Sequence, residues 1–262
     1  LVSGGPFASI EAGWQFTCAV ATAGNVGHCW GANTKGQLGD GTTTDRLTPT
    51  PVKGGADIPF DSMTAAAEHA CGVTTTGVGY CWGDNLNGRL GDGTTTARLS
   101  PTLITGGLSW VSVSAFDVHS CGVAADNVPY CWGGNGNGQL GDGTTTNRLA
   151  PTGISGGPSY PSVMTGNFHT CAVDGLNAAF CWGRNFEGQL GDGTTNQRNV
   201  PTAVTGSLLV AAVSPGYLHT CAISAAISAS SVVYCWGRNA EGQLGDQTLT
   251  QRNAPTRVAG QK

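Results

Sequence analysis

No run of basic residues occurs in this 262-residue chain, and Lys and Arg together number 12 against 16 Asp and Glu. A mildly acidic chain of that kind lacks the electrostatic footprint of a nucleic-acid or anionic-membrane binder. Long apolar runs are missing too: the longest, residues 208–213, falls far short of the ~20 residues a membrane-spanning helix needs. No window carries an apolar period near 3.6 over ten or more residues, so the pattern is not helical. Neither Cys-x-x-Cys nor Cys-x-x-Cys-His occurs, and spacing therefore gives no zinc, haem or iron–sulfur site. No serine or cysteine has a His and an Asp of its own beside it, which leaves a hydrolase mechanism without an anchor. From Leu1 onward there is no charged segment followed by an apolar stretch, so the start does not read as a signal peptide.

What is present is repetition. Residues 80–96, Tyr-Cys-Trp-Gly-Asp-Asn-Leu-Asn-Gly-Arg-Leu-Gly-Asp-Gly-Thr-Thr-Thr, recur in five versions about 50 residues apart, with Cys29, Cys81, Cys131, Cys181 and Cys235 before the Trp-Gly pair. Each version has an upstream cysteine (Cys18, Cys71, Cys121, Cys171, Cys221) and a downstream Pro-Thr. The repeats fall at roughly 6–55, 56–107, 108–157, 158–206 and 207–262, in a single domain of residues 1–262. Residues 1–5 resemble the end of a preceding repeat, as expected of an excerpt or a processed chain. The 42 glycines sit at fixed places in each unit and so mark turns rather than a linker.

In the second unit the expected strands are residues 60–66, 71–73, 79–82 and a short outer strand at 101–105, with a hairpin tip at 74–78. Four short antiparallel strands repeated radially make an all-β propeller, one blade per repeat. Hairpin arithmetic tests this. Cys71 and Cys81 pair when Val73 faces Gly79; units three and four have the same spacing, and the fifth hairpin is longer by an even number. The first is longer by one and needs a bulge or an odd turn. Five within-unit disulfides follow: Cys18–Cys29, Cys71–Cys81, Cys121–Cys131, Cys171–Cys181 and Cys221–Cys235. Ten paired cysteines imply an oxidising compartment.

The run His-Thr-Cys-Ala-Val, then Cys-Trp-Gly-x-Asn-x-x-Gly-Gln-Leu-Gly-Asp-Gly-Thr-Thr, then Arg and Pro-Thr, closely resembles the regulator of chromosome condensation repeat across essentially the whole chain. The resemblance implies a β-propeller of four-stranded blades, and the cysteine-bearing form is similar to the secreted bacterial branch of that family. The founding member has seven blades, so five units either close alone or need further repeats or another chain. It acts on the nuclear GTPase Ran and binds chromatin. This acidic, cysteine-paired chain has neither the basic tail nor the reducing compartment for those roles. A secreted relative that inhibits β-lactamases shows the same fold presenting a protein-binding surface.

Motifs shared by all repeats are expected to build the blade. Asn33, Asn85, Asn135, Asn185 and Asn239 should close turns, and Asp92 with Arg98 should brace the loop rather than bind calcium, because the Leu-Gly-Asp-Gly-Thr-Thr-Thr motif offers a single Asp. His69, His119, His169 and His219, with Phe16 at the same place in the first unit, should bond to backbone between blades. Function is expected where repeats differ. The candidate binding face is Trp14, Gln15, Glu68, Asp117, Asn167, Phe168 and Tyr217, with varied loop positions such as Lys35, Leu86 and Phe186 nearby. The reading is a secreted or cell-surface, non-catalytic module with no cofactor and no metal. It binds a protein partner or assembles with itself, through one asymmetric surface rather than five equal sugar sites. Carbohydrate binding is the alternative, and a glycan-active enzyme using Glu11, Glu68 or Asp117 is the third reading.

Overall fold

The computed structural model describes residues 5–54, 57–157, 159–225 and 231–261. Residues 1–4, most of the stretch read as the end of a preceding repeat, lie outside the described residues. The first sheet holds β1 (Phe7–Ala12), β2 (Phe16–Ala21), β3 (Gly27–Gly31) and β4 (Arg46–Pro51), and the second β5 (Phe60–Ala65), β6 (His69–Thr74), β7 (Gly79–Gly83) and β8 (Arg98–Leu103). The third holds β9 (Trp110–Ala115), β10 (His119–Ala124), β11 (Pro129–Gly133) and β12 (Arg148–Gly153). The fourth holds β13 (Ser162–Thr165), β14 (His169–Val173), β15 (Ala179–Gly183) and β16 (Arg198–Ala203), and the fifth β17 (Val210–Pro215), β18 (His219–Ser224), β19 (Val233–Gly237) and β20 (Arg252–Arg257). Each sheet is a blade whose strands pair in sequence order. Two compact units make up the chain: residues 1–126 with 132–134 and 147–151, and residues 127–131 with 135–146 and 152–262.

The register follows the hairpin arithmetic. Cys71 faces Cys81 and Val73 faces Gly79. The Cα atoms of Cys18–Cys29, Cys71–Cys81, Cys171–Cys181 and Cys221–Cys235 stand 4.0 to 4.2 Å apart, the close spacing of a non-hydrogen-bonded antiparallel pair. Cys121 and Cys131 are also disulfide-bonded, and among the described residues no cysteine is free. In the second blade the Thr74 amide donates to the Val78 carbonyl, leaving a three-residue tip, narrower than expected. The first hairpin absorbs its extra residue in that tip and not in a bulge. Ala21 bonds Val26 across residues 22–25, where Gly24 and Asn25 turn the chain with φ of 70° and 54°.

In the second and third blades the second strand is covered on both faces, and all six residues of β6 and of β10 are buried. Small and β-branched residues at these positions (Ala70, Cys71, Gly72 and Val73 in β6) fit the narrow gap between sheets. The outer strand begins earlier than Pro-Thr suggested, at Arg98 rather than 101. Gly83 pairs with Arg98 and Cys81 with Thr102, so the ladder skips opposite Trp82 and Pro101 falls in the irregularity. An edge strand tolerates proline there because one side of it carries no ladder. The same skip recurs in the first, fourth and fifth blades.

Candidate binding face

One asparagine organises the long loop after the third strand. Asn85 is fully buried. Its Nδ2 donates to Asp92 Oδ1 (3.0 Å), Thr94 O (3.1 Å) and Thr96 O (3.1 Å), and its Oδ1 accepts from the Leu90 amide (3.0 Å). Asn33, Asn135, Asn185 and Asn239 repeat the pattern. Asp92 also accepts from Thr94 Oγ1 (2.7 Å) and from Arg98 Nε (2.7 Å). Burial opposes the charge on Asp92, but the bonds from Thr94 and Arg98 outweigh it and hold the carboxyl below its ordinary value; Asp40 and Asp192 follow suit. The acid of each such loop is thus committed to its own loop and arginine. Among the described residues no group of three or more His, Cys, Asp or Glu is assembled as metal ligands.

The histidines bond differently from the expectation. His69 Nε2 lies 2.9 Å from Ser120 Oγ of the next blade, and that hydroxyl donates to the Arg89 carbonyl (2.9 Å). His169 repeats this with Thr220 Oγ1 (2.9 Å), which donates to the Gln189 carbonyl (2.8 Å). The imidazole reaches backbone only through a hydroxyl. A hydroxyl has one proton, and here it goes to the carbonyl, so the imidazole donates its Nε2–H to the hydroxyl. Nδ1 of His69 is buried without a hydrogen-bond partner. Burial, then the charges of Arg89 and His119, hold His69 well below its usual value, and burial takes His119 down to about 3. The first blade solves the same position without polarity. Phe16 replaces the histidine, Ala70 replaces the hydroxyl, and both join one apolar cluster with Val20, Phe60 and Trp82.

The turns between first and second strands lie at the same end of each blade as the asparagine loops. A backbone bond ties each turn to its loop: Ala32 to Gln15 O (2.9 Å), Asp84 to Glu68 O (2.9 Å), Gly134 to Val118 O (2.8 Å), Arg184 to Phe168 O (2.8 Å) and Arg238 to Leu218 O (2.9 Å). A second bond runs from turn to turn between neighbouring blades, from Trp14 to Ala66 O (3.2 Å) and Ala67 to Phe116 O (2.9 Å) in the first unit, and from Asn167 to Gly216 O (3.2 Å) in the second. The frame is fixed while the side chains differ.

In the first unit Trp14 is 75% exposed, Gln15 beside it is exposed, and Glu68 and Asp117 are half-buried. Burial raises the Asp117 carboxyl above its ordinary value, against the opposing charge of Arg89. Glu11 lies within β1 opposite Cys18 and so belongs to a strand, not to a turn. In the second unit Tyr217 is 60% exposed and Phe168 is half-buried. Asn167 departs from the expectation: it is fully buried, and neither polar atom of its side chain has a hydrogen-bond partner.

Arginines missing from the sequence reading shape both units. Arg89 takes the place of Gln37, Gln139, Gln189 and Gln243, is buried, and donates to Leu86 O (3.0 Å) and Asp117 O (2.9 Å) while its Nη2 sits 3.2 Å from Asp84 Oδ2. Its departure from glutamine is the signal that could have found it. In the second unit the Arg184 guanidinium lies 5.2 Å from the Phe186 ring centre and 6.0 Å from that of Phe168, within cation–π range.

The family model described as regulator of chromosome condensation (RCC1) repeat matches residues 28–73, 77–123, 129–173, 177–223 and 231–262. The ultraviolet-B receptor UVR8 of Arabidopsis thaliana is 40% identical over 96 residues, 37% of this chain and 22% of the receptor. The human E3 ubiquitin-protein ligase HERC2 is 35% identical over 95 residues, 36% of this chain and 2% of the ligase. Among solved structures, human WBSCR16 aligns with a TM-score of 0.82 at 21% identity, over 95% of this chain and 66% of that one. Yeast RCC1 (Prp20), solved bound to Kap60, aligns with a TM-score of 0.79 at 18% identity, over 97% of this chain and 63% of that one. At such identities the structural likeness concerns the fold, and the chain spans less than a quarter of the two curated relatives.

Proposed function

The chain belongs to the RCC1 repeat family, and from that premise we propose that it is a secreted, non-catalytic module that binds a protein partner through the turns preceding each second strand. The observation that carries this reading is the contrast within one scaffold. Turns held by the same backbone bond carry exposed Trp14 and Tyr217, half-buried Ala67 and Asp117, and a buried Asn167 at equivalent places. Exposed aromatic side chains on rigid turns cost little entropy on binding and are the usual anchors of protein interfaces. Yeast Prp20, whose structure was solved with Kap60 and whose binding to Gsp1p and histones was studied, shows this fold engaged with proteins. Ten disulfide-bonded cysteines suit an oxidising environment and support placing the module outside the cell or at its surface. Self-assembly is the second form of the same reading. Carbohydrate binding fits less well, since equal sugar sites need equal residues.

The test is capture of proteins from the extracellular fraction of the source cells on the immobilised chain, beside Trp14→Ala and Tyr217→Ala, with a glycan array run in parallel. A protein retained by the parent chain and lost from both variants is the expected result. Specific glycan binding that survives both substitutions would overturn the assignment. So would hydrolysis of a glycan that disappears in Glu68→Gln or Asp117→Asn.

A further inference from the structure

Near the hairpin tips, at the end of each blade opposite the turns, two positions change together. The residue that opens a third strand meets the residue that leads into the next blade's first strand. Gly27 meets Phe60 and Gly79 meets Trp110, so closely that a Cβ on either glycine would lie 2.6–2.9 Å from the ring. Ala179 is matched by the smaller Val210 in one apolar cluster. The third blade instead opens its third strand with Pro129, and the residue facing it is Tyr160. Between these two rings lies a cavity of about 290 Å³. All the residues that line it belong to the second unit. Ile154 on its wall is half-buried, whereas Val52, Ile104 and Val204 at the same place are buried.

Tyr160 lines this cavity and is 1% exposed, its ring packed on those of Phe180 (5.5 Å) and Trp182 (6.2 Å). Its hydroxyl is buried without a hydrogen-bond partner. Phe60 and Val210 fill the same place with no polar atom, so the blade does not need that hydroxyl. A Cβ on Gly157 would overlap the hydroxyl oxygen, so glycine there leaves it room. Burial, then the charge of Asp174, raises the phenol above its ordinary value and keeps it a proton donor. The Asp174 carboxylate is itself held by the amides of Leu176 (2.9 Å) and Ala178 (2.8 Å). At the mouth, Ser159 Oγ donates to Asn127 O (2.9 Å) and ties the fourth blade to the tip of the third.

We propose that this cleft binds a compact neutral molecule whose carbonyl oxygen accepts the Tyr160 hydroxyl and whose apolar body lies on Val128, Pro129 and Ile154. Three observations specify that chemistry. A buried donor left unpaired is costly, and an acceptor placed in the cleft removes the cost. An anion would meet the charge of Asp174, and any full charge would lose its hydration against apolar walls with one hydroxyl in return. Ligand pockets run from about 300 Å³ upward, so a cavity at the small end suits a molecule of a single ring. The site shares no residue with the turns that carry Trp14 and Tyr217, so it stands or falls apart from partner capture.

Titration of the full chain with cyclohexanone, followed by NMR of labelled methyl groups and of tyrosine Cζ, tests the proposal. Cyclohexanecarboxylate serves as the charged control. The ketone should move the methyls of Val128 and Ile154 and the Cζ of Tyr160 together, saturating with a Kd of about 1 mM, while the methyls of Leu176 stay still. Tyr160→Phe, which places at this position the residue found at Phe60, should keep its melting temperature and bind the ketone about five- to tenfold more weakly. If that variant melts early, the Tyr160 Cζ shift of the parent chain decides the matter alone. No saturable shift leaves the hydroxyl to water and overturns the proposal. So does binding that Tyr160→Phe leaves unchanged, a Tyr160 Cζ that stays still, or a carboxylate that binds as tightly as the ketone.

Discussion

The asparagine loops and the turns before the histidine strands lie at the same end of every blade and are joined by a backbone bond, yet they behave oppositely. In the loops the side chains are the structure: Asn85 hydrogen-bonds four residues of its own loop, and its counterparts repeat these bonds with other residues around them. In the turns the backbone is the structure, and bonds such as Asp84 to Glu68 O form whatever the side chain. A position fixed through its side chain cannot vary, and a position fixed through its main chain is free to. Repeat architectures separate scaffold from specificity by that difference and not by distance from the core.

The largest break in this comparison should come from the loop. Asn85→Ala removes both N–H donors and the acceptor of a side chain buried in its loop, and unfolding by denaturant should show a loss of about 3–5 kcal/mol. The second effect is set by pH. His69 and His119 are neutral in the fold with depressed values, while the unfolded chain takes up a proton below the ordinary histidine value of 6.5. The unfolded state therefore binds more protons, so stability is full above that value and falls as pH drops, by about 1.4 kcal/mol per pH unit for each such histidine, until the folded value is passed. For His119 that is about 3. The lowered aspartates Asp40, Asp92 and Asp192 add a further loss below the ordinary carboxylate value of 3.8. A denaturant midpoint that does not move between neutral pH and mild acid would refute neutral buried histidines.

A smaller effect separates the two solutions to the histidine position. Ser120→Ala strands the His69 Nε2–H and should cost about 1–3 kcal/mol. Adding His69→Phe rebuilds the Phe16 and Ala70 arrangement, so the double variant should be more stable than the two single losses sum to, by a double-mutant cycle. It should also flatten the pH slope by one histidine. Smallest of all, Trp14→Ala and Tyr217→Ala should change stability by less than about 0.5 kcal/mol while removing the protein partner. A large destabilisation by either would return the turns to the scaffold.

The features legible in the sequence were those whose partners lie close along the chain. The Cys71–Cys81 register and the Asp92–Arg98 brace follow from hairpin parity and from charges six residues apart. The hydroxyl that receives His69 is on residue 120, in the following blade, so the repeat pattern showed that the histidine mattered but not what it met. Pro101 drew the outer strand too far along, because the irregularity that accommodates proline depends on pairing with Gly83 and Arg98. Asn167 and Tyr217 occupy equivalent places and could not be told apart from their alignment alone. The amide is buried and the ring is not, and how each turn packs around its side chain decides that. Arg89 was passed over because it stood inside a motif read as uniform.

Each disulfide with a described partner joins neighbouring strands of a single blade, with its two cysteines 10 to 14 residues apart. Such a unit carries its own covalent closure. A duplication or deletion of one unit adds or removes both thiols together and never leaves an odd one to scramble its neighbours. During oxidation each thiol also finds its mate as soon as its own hairpin forms, without waiting for distant chain. Copy number is thus free to drift in the gene without a toll in misoxidised product, a freedom that bridges between blades would have removed.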